Sequence, residues 1–315
     1  MKHLFIINPV AGGKKNDSAA TEKRIRDLMD MRGEDYEVYY TKAPLDATAK
    51  IKAEAASGEE MRVYACGGDG TLNECVNGAV GFENVAVTHF PCGTGNDFVK
   101  MFGDEDTKLF KELSQLIDGF VRPIDVIDCG ERYGVNICSV GFDARVGTDV
   151  HKYSALPIIG GAAGYVVSLI VNLFRGINQH LKIKVHSTVS DGDYALLCAC
   201  NGRFYGGGFN PVTDAMPDDG ILNVLVVDAI SIFQVPVLIG KYAKGRYSEA
   251  PKLIKRYDTD RIELAAPKTF VVNIDGEAVF TDHVTFSVVP GGVNFLFPRD
   301  MSFFRPSREP VSAVR

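Results

Sequence analysis

The sequence has no basic excess: 34 Lys and Arg stand against 40 Asp and Glu, for a formal charge of −6 at pH 7. A general nucleic-acid binder carries the opposite balance, so that class is set aside, although a local patch for phosphate or an anionic lipid head group remains compatible. Cys198 and Cys200 are one residue apart, and no second Cys/His pair stands at zinc-finger spacing, so no zinc site is expected. The seven cysteines are odd in number and sit mostly in apolar, strand-like runs such as 63–66 and 196–200, which reads as reduced core thiols of a cytosolic protein. The start, Met1 to Asn8, lacks the apolar core and small-residue cleavage site of a signal peptide. One uncharged stretch, 153–174, is broken by Pro157, Gly160, Gly161, Gly164 and Asn172. Only 165–174 is densely apolar, against the ~20 residues a membrane span needs. A buried or lipid-facing helix is expected there instead. There is no internal repeat and no low-complexity tract.

What is present is an ordinary globular composition, 46% apolar and 23% charged, over 315 residues, a length that suits two domains. The first third alternates strand and helix patterns. Strands are expected at 3–7, 36–40, 61–65 and 85–90, and helices at 18–32, 45–56 and 71–80. Strands separated by helices of this length imply a parallel sheet covered on both faces. Near residue 121 the rhythm changes. Strand-like runs at 121–127, 135–140, 181–189, 194–199, 221–227, 261–265, 270–274 and 284–289 are interrupted by only two helical candidates, near 160–177 and 231–245. The expectation is an α/β N-terminal domain over 1–122 and a mostly antiparallel β-sandwich over 123–298, with the tail 299–315 returning to the first domain.

Three turns carry candidate chemistry. A buried strand delivers Gly67-Gly68-Asp69-Gly70-Thr71 to the carboxyl edge of the sheet, where open α/β folds bind ligands. The glycines admit a phosphate close to the backbone, and the following helix offers free N–H groups to an anion. Asp69 repels phosphate unless it holds a metal or takes a proton. The plain alternative is a strand-turn-helix connection capped by Asp69 or Thr71. Asn8-Pro9-Val10-Ala11-Gly12-Gly13 ends the first strand on the same edge; it has neither the Walker A spacing nor the dinucleotide GxGxxG. Lys14 and Lys15 follow it, as phosphate contacts or as solvated surface charges. A third turn, Pro91-Cys92-Gly93-Thr94-Gly95-Asn96-Asp97-Phe98, again brings small and amide or hydroxyl residues from a strand end to a helix start. Repeated three times on one edge, the pattern describes a shared nucleotide-phosphate site better than three separate caps.

These three segments resemble the signature segments of the diacylglycerol kinase catalytic domain, in a superfamily with bacterial soluble lipid kinases and the sphingosine and ceramide kinases. The resemblance continues in order through 136–143, Gly206-Gly207-Gly208, Asp218-Asp219-Gly220 and Asp275-Gly276-Glu277. It implies the fold type of NAD and diacylglycerol kinases, with ATP and Mg²⁺ as cofactors. ATP would be lined by Asn8, Pro9, Gly12, Thr41, Gly67, Gly68, Gly70, Thr71, Gly93, Thr94 and Asn96, with Glu74 helping. Asp69, with Asp97 beside it, would sit at the transferring phosphoryl group, and Glu277 is the implied proton acceptor. A structural Mg²⁺ would be held by Asp219 and by backbone oxygens of Met216 and Ile221. Many members carry Ser where this chain has Ala11, which removes a hydroxyl contact but leaves the backbone cradle. Read from the residues alone, Asp275-Gly276 is a hairpin turn and Asp218-Asp219-Gly220 is another.

The leading expectation is therefore a cytoplasmic lipid kinase that reaches its membrane substrate peripherally. It needs no nucleic acid and no transmembrane span, and a homodimer is allowed. Diacylglycerol is the default acceptor by resemblance. A soluble-substrate kinase of the NAD kinase type and a catalytically idle nucleotide- or lipid-binding regulator are the competing readings.

Overall fold

Strands β1 (Lys2–Ile7) and β3 (Met61–Gly67) are apolar along most of their length because helices cover both faces of the sheet they share. The computed structural model describes residues 1–11, 18–93, 95–142, 144–145, 176–206 and 208–304. β1 pairs in parallel with β2 (Tyr36–Tyr40) and with β3, and β3 pairs in parallel with β4 (Val85–Pro91). Helices α1 (Ser18–Arg32), α2 (Asp46–Ala55) and α3 (Asp69–Ala79) connect them. All four strands thus point their carboxyl ends at one edge. Phe5, Ile25, Ile51, Tyr64, Leu72 and Val76 belong to the core beneath it.

Three short helices follow, α4 (Asp97–Lys100), α5 (Asp104–Leu109) and α6 (Leu113–Ile117), and then the antiparallel second domain. Its strands are β5 (Phe120–Asp128), β6 (Tyr133–Gly134), β7 (Ile137–Gly141), β8 (Gln179–Val185), β9 (Thr188–Cys200), β10 (Leu222–Asp228), β11 (Ile254–Thr259), β12 (Arg261–Ile274) and β13 (Glu277–Phe297), with helix α7 (Val235–Tyr242) between β10 and β11. β12 pairs with β7 and with β8, and β9 also pairs with both, so these four strands close on themselves around a core that includes Leu197, Ile262, Val272 and Phe286.

Several expectations need correcting in detail. The strand signal over 181–189 spans two strands, because His186 takes φ 52 and turns the chain between β8 and β9. The separate runs 261–265 and 270–274 are one strand, β12, whose register shifts between Ala265 and Phe270. Pro267 lies in that gap, where a residue without an N–H cannot join the ladder. Helix α3 begins at Asp69 rather than Thr71, and β11 carried no expectation. The helical candidate near 160–177 falls, up to residue 175, outside the described residues.

β13 runs through both domains. Its first part pairs with β12; beyond Pro290-Gly291-Gly292, where the register shifts, Asn294 and Phe295 pair in parallel with Ala86 and Val87 of β4. Phe303 and Phe304 then pack on Phe102 and Phe297, with ring centroids 5.1 and 4.9 Å apart respectively, and the Ser302 and Phe303 N–H groups donate to Asp106.

Candidate active site

The turns that follow β1, β2, β3 and β4 open into one cleft of about 700 Å³. Asn8, Pro9, Thr41, Gly68, Gly70, Thr71, Glu74 and Gly93 line it from the first domain, and Glu277 and Arg132 line it from the second. Of the residues expected around a nucleotide, Gly67 and Asn96 lie behind this lining and brace it, while Gly12 and Thr94 fall outside the described residues, as do Lys14 and Lys15.

The turns are tied to one another through their backbones. Asn8 donates from Nδ2 to Thr71 Oγ1 at 3.2 Å and accepts the Val10 N–H on Oδ1 at 3.1 Å, which links the β1 turn to the start of α3. The Gly67 carbonyl accepts N–H bonds from Cys92 at 2.8 Å and Gly93 at 3.1 Å. It also accepts from His89 Nε2 at 3.1 Å. Burial lowers the His89 pKa, and because a carbonyl can only accept, Nε2 carries a proton and donates it. Asn96, at φ 50, folds its side chain back onto both the N–H and the carbonyl of Gly93. It therefore braces the β4 turn and does not cap α4.

Gly93 has no room for a side chain, since a Cβ there would lie 2.4 Å from the Gly68 Cα. Gly93→Ala is expected to pry the two turns apart. It should weaken nucleotide binding by at least roughly tenfold, about 1.4 kcal/mol, read by titration calorimetry with ATP, with little change in far-ultraviolet circular dichroism.

Asp69 is the first residue of α3, and Gly68 occupies the cap position. Its Oδ1 accepts the N–H groups of Asp97 at 2.6 Å and Phe98 at 3.3 Å, so the carboxylate joins the β3 turn to the start of α4. A Cβ built on Gly95 would stand 2.9 Å from Asp69 Oδ2 and 3.7 Å from Asp97 Oδ2. The two carboxylates therefore converge on the space above that glycine. Burial pushes the Asp69 carboxyl above the ordinary aspartate range; the His89 ring opposes this, Asp97 adds to it, and the two N–H bonds do not overturn it. Lys100 pairs with Asp97 Oδ1 at 2.6 Å and offsets part of the paired negative charge. Glu277 arrives from β13 with Oε1 3.8 Å from where a Gly70 Cβ would be.

Glu277 is set in place by its neighbour two residues earlier. The Asp275 carboxylate accepts the N–H groups of Val135 (2.6 Å), Asn136 (3.0 Å) and Ile137 (2.9 Å), and Asn73 Nδ2 of α3 (2.8 Å). One side chain thus pins the Asp275-Gly276 hairpin to the helix that begins at Asp69.

The expected metal position has oxygen chemistry. Asp219 accepts the Ile221 N–H at 3.0 Å, and burial, then Asp125 and Asp218, raise its carboxyl. A hard divalent cation would relieve that crowding, so the donor set fits Mg²⁺. Side-chain ligation would fall to Asp219, because Asp125 is occupied by the Gly220 and Gly291 N–H groups and Asp218 by Arg122. Among the described residues no three His, Cys, Asp or Glu side chains converge as metal ligands, so carbonyl oxygens such as those of Met216 and Ile221 would complete the set.

Residues 2–129 match the diacylglycerol kinase catalytic domain, and residues 136–297 match the YegS C-terminal NAD kinase beta sandwich-like domain. The chain belongs to the YegS-like bacterial lipid-kinase family. Within this family, a probable YegS-like lipid kinase of Shewanella frigidimarina is 28% identical over 78% of this chain and 79% of its own length. A Staphylococcus aureus protein with a lipid-kinase name is 26% identical over 80% and 82%. Two crystal structures from Bacillus anthracis share the fold. One superposes with a TM-score of 0.73 at 24% identity over 96% of each chain. The other, described as a diacylglycerol kinase, gives 0.68 at 21% identity over 96% of this chain and 98% of its own. Membership in a kinase catalytic-domain family carries kinase-type catalysis and nucleotide use. Among the described residues no helix is long and apolar enough to cross a membrane.

Two charged cleft residues escaped the sequence reading. Lys42 lies beside Thr41, its N–H held by Asp46 and its ammonium 5.8 Å from the Tyr39 ring centroid. Arg132 donates to Asn73 Oδ1, and its buried Nε has no hydrogen-bond partner among the described residues. Each is a lone cation next to a turn, and nothing in the local pattern distinguishes it from a solvated surface charge.

Proposed function

We propose that this chain is an ATP-dependent kinase that transfers the γ-phosphoryl group to the hydroxyl of a membrane lipid, with diacylglycerol as acceptor and phosphatidic acid as product. The observation that carries this reading is the convergence of Asp69 and Asp97 above Gly95, beside a glycine-lined cleft that Glu277 closes from the other domain. The turns at 8–12, 67–71 and 93–96, with Thr41 and Glu74, hold ATP, and the start of α3 turns its free N–H groups to the phosphates. The acceptor hydroxyl lies between the carboxylates. One carboxylate takes its proton as the oxygen bonds to the γ-phosphorus, the bond to the β-phosphate oxygen breaks, and ADP leaves. Asp69 is the first candidate for that proton and Glu277 the second. Magnesium on the phosphates would neutralise charge, and one at Asp219 with the Met216 and Ile221 carbonyls would stiffen the 216–221 loop.

An apolar pocket in the second domain supports a lipid acceptor. Phe142, Leu196, Phe209, Leu238 and Ile239 line it, and its volume of about 80 Å³ admits the end of an acyl chain. Tyr205 and Tyr242 also line it, and their hydroxyls bond to each other at 3.0 Å.

The test is transfer of label from γ-labelled ATP with Mg²⁺ to a total lipid extract, with NAD as a soluble control. The expected result is label in an organic-soluble product. The second domain's family is described by its likeness to NAD kinase, and label confined to NAD would replace the lipid reading with that one. ATP binding without transfer to either would make the protein a regulator.

A further inference from the structure

We infer that the outer face of α7, together with the 249–253 segment, is the surface on which this protein rests on an anionic lipid bilayer. The inference rests on the lipid-acceptor reading above and names where the protein meets its substrate's membrane.

Helix α7 is apolar on two opposite sides. Val235, Leu238, Ile239 and Tyr242 face the apolar pocket and the second-domain core. Val237 on the other side is 63% exposed, and just before the helix Phe233 is 89% exposed and Ile232 43%. A helix apolar on both sides belongs between two apolar partners, and here the protein supplies one. The outer face and the following segment enclose a groove of about 460 Å³, lined by Phe233, Val237, Pro251 and Leu253 together with Lys241, Glu249 and Lys252.

Charge selects the occupant. Between residues 231 and 253 stand Lys241, Lys244, Arg246 and Lys252 against one carboxylate, Glu249, in a chain whose formal charge is −6. Glu249 pairs with Lys241 and Arg246, and Lys244 and Lys252 are exposed. Apolar side chains ringed by cations suit an interface where chains enter the acyl boundary and cations meet anionic head groups. A second copy of the chain docking by the same face would set these cations against each other. Two other exposed apolar residues have a more acidic setting: Phe280 and Val189 are 68% and 52% exposed, but Phe280 has Asp282 nearby, and Val189, opposite Lys184, has Asp191 and Asp193 nearby. Because the inner side of α7 borders the apolar pocket, docking by the outer side would bring that pocket to the bilayer.

The experiment is co-sedimentation of the full chain with vesicles of phosphatidylcholine alone or mixed with phosphatidylglycerol. Binding is expected to the mixed vesicles and to weaken with salt. Phe233→Ser should lower partitioning at least roughly tenfold. Lys244→Glu and Lys252→Glu, each a change of two charge units, should each lower it roughly thirtyfold. All three variants should keep wild-type kcat/KM on monomeric dihexanoylglycerol and lose activity on vesicle-embedded diacylglycerol. Equal sedimentation of wild type and Phe233→Ser would overturn the assignment. So would concentration-dependent self-association without lipid that Phe233→Ser abolishes, since the face would then belong to a dimer. Sedimentation needs no catalysis, so failure of the kinase reading and failure of this surface are read separately.

Discussion

Replacing Asp69 with asparagine should reduce turnover by roughly 10²- to 10⁴-fold and leave the protein at least as stable as before. The fold is preserved because an asparagine Oδ1 can still accept the Asp97 and Phe98 N–H groups. Its amide nitrogen would take the place of Oδ2, on the side where Asp97 Oδ2 lies, and replaces a repulsion with a donor. Stability follows from the direction of the pKa. The carboxyl titrates higher in the folded chain than the unfolded reference of 3.8. Its contribution to stability is therefore complete below the unfolded value and is lost as pH rises through the folded one. At neutral pH the ionised group opposes folding, and a neutral amide removes that cost. Steady-state kinetics and thermal melts at pH 7 check both halves together. A variant with near wild-type turnover would remove Asp69 from the chemistry, and one with a collapsed Tm would make it structural. The acid limb of the wild-type rate profile should lie above the ordinary aspartate range, because the working form is the carboxylate.

Replacing Asp275 with alanine should cost on the order of 3–5 kcal/mol, the largest stability loss expected among the substitutions considered. Three backbone N–H groups and the Asn73 amide would lose their acceptor at once. Asparagine should be little better. Its Oδ1 can keep Asn136 and Ile137, but its amide would then face the Val135 N–H and Asn73 Nδ2 as donor against donor. Urea denaturation measures this directly. A loss under about 1 kcal/mol for alanine would mean that water replaces the carboxylate and that the hairpin is held by other contacts. Because this bond joins α3 to the hairpin that carries Glu277, residual activity should fall faster than the folded fraction.

The strand-turn-helix rhythm of the first domain was legible because each unit is local: a buried strand, a glycine turn and a helix start lie within about a dozen residues. The cleft that the three turns share could be anticipated for the same reason. What joins them was not legible. Asp69 read as an awkward neighbour of phosphate or a cap for its own helix, whereas the structure shows it capping α4, through a turn far along the chain. Asp275 read as a hairpin turn, and it is one at φ 51, but its carboxylate reaches an asparagine 202 positions away. No periodicity records such a partner. The second domain was legible as antiparallel strands but not in its strand boundaries. β12 and β13 each run past a proline where the ladder shifts register, and a proline in sequence looks like an end. Arg132 shows the limit for cations, because only the fold tells a cleft guanidinium from a solvated one.

The path of β13 also bears on how the protein is made. β4 lies near the start of the chain, yet its partner on one side is the far end of β13, synthesised after the whole second domain. During translation the nucleotide sheet emerges early with that edge unpaired, and an open edge invites pairing with other chains. The order of the genetic message thus works against the order of assembly. Growth of the nascent protein at low temperature, or with a chaperone that shields strand edges, should raise the yield of folded enzyme.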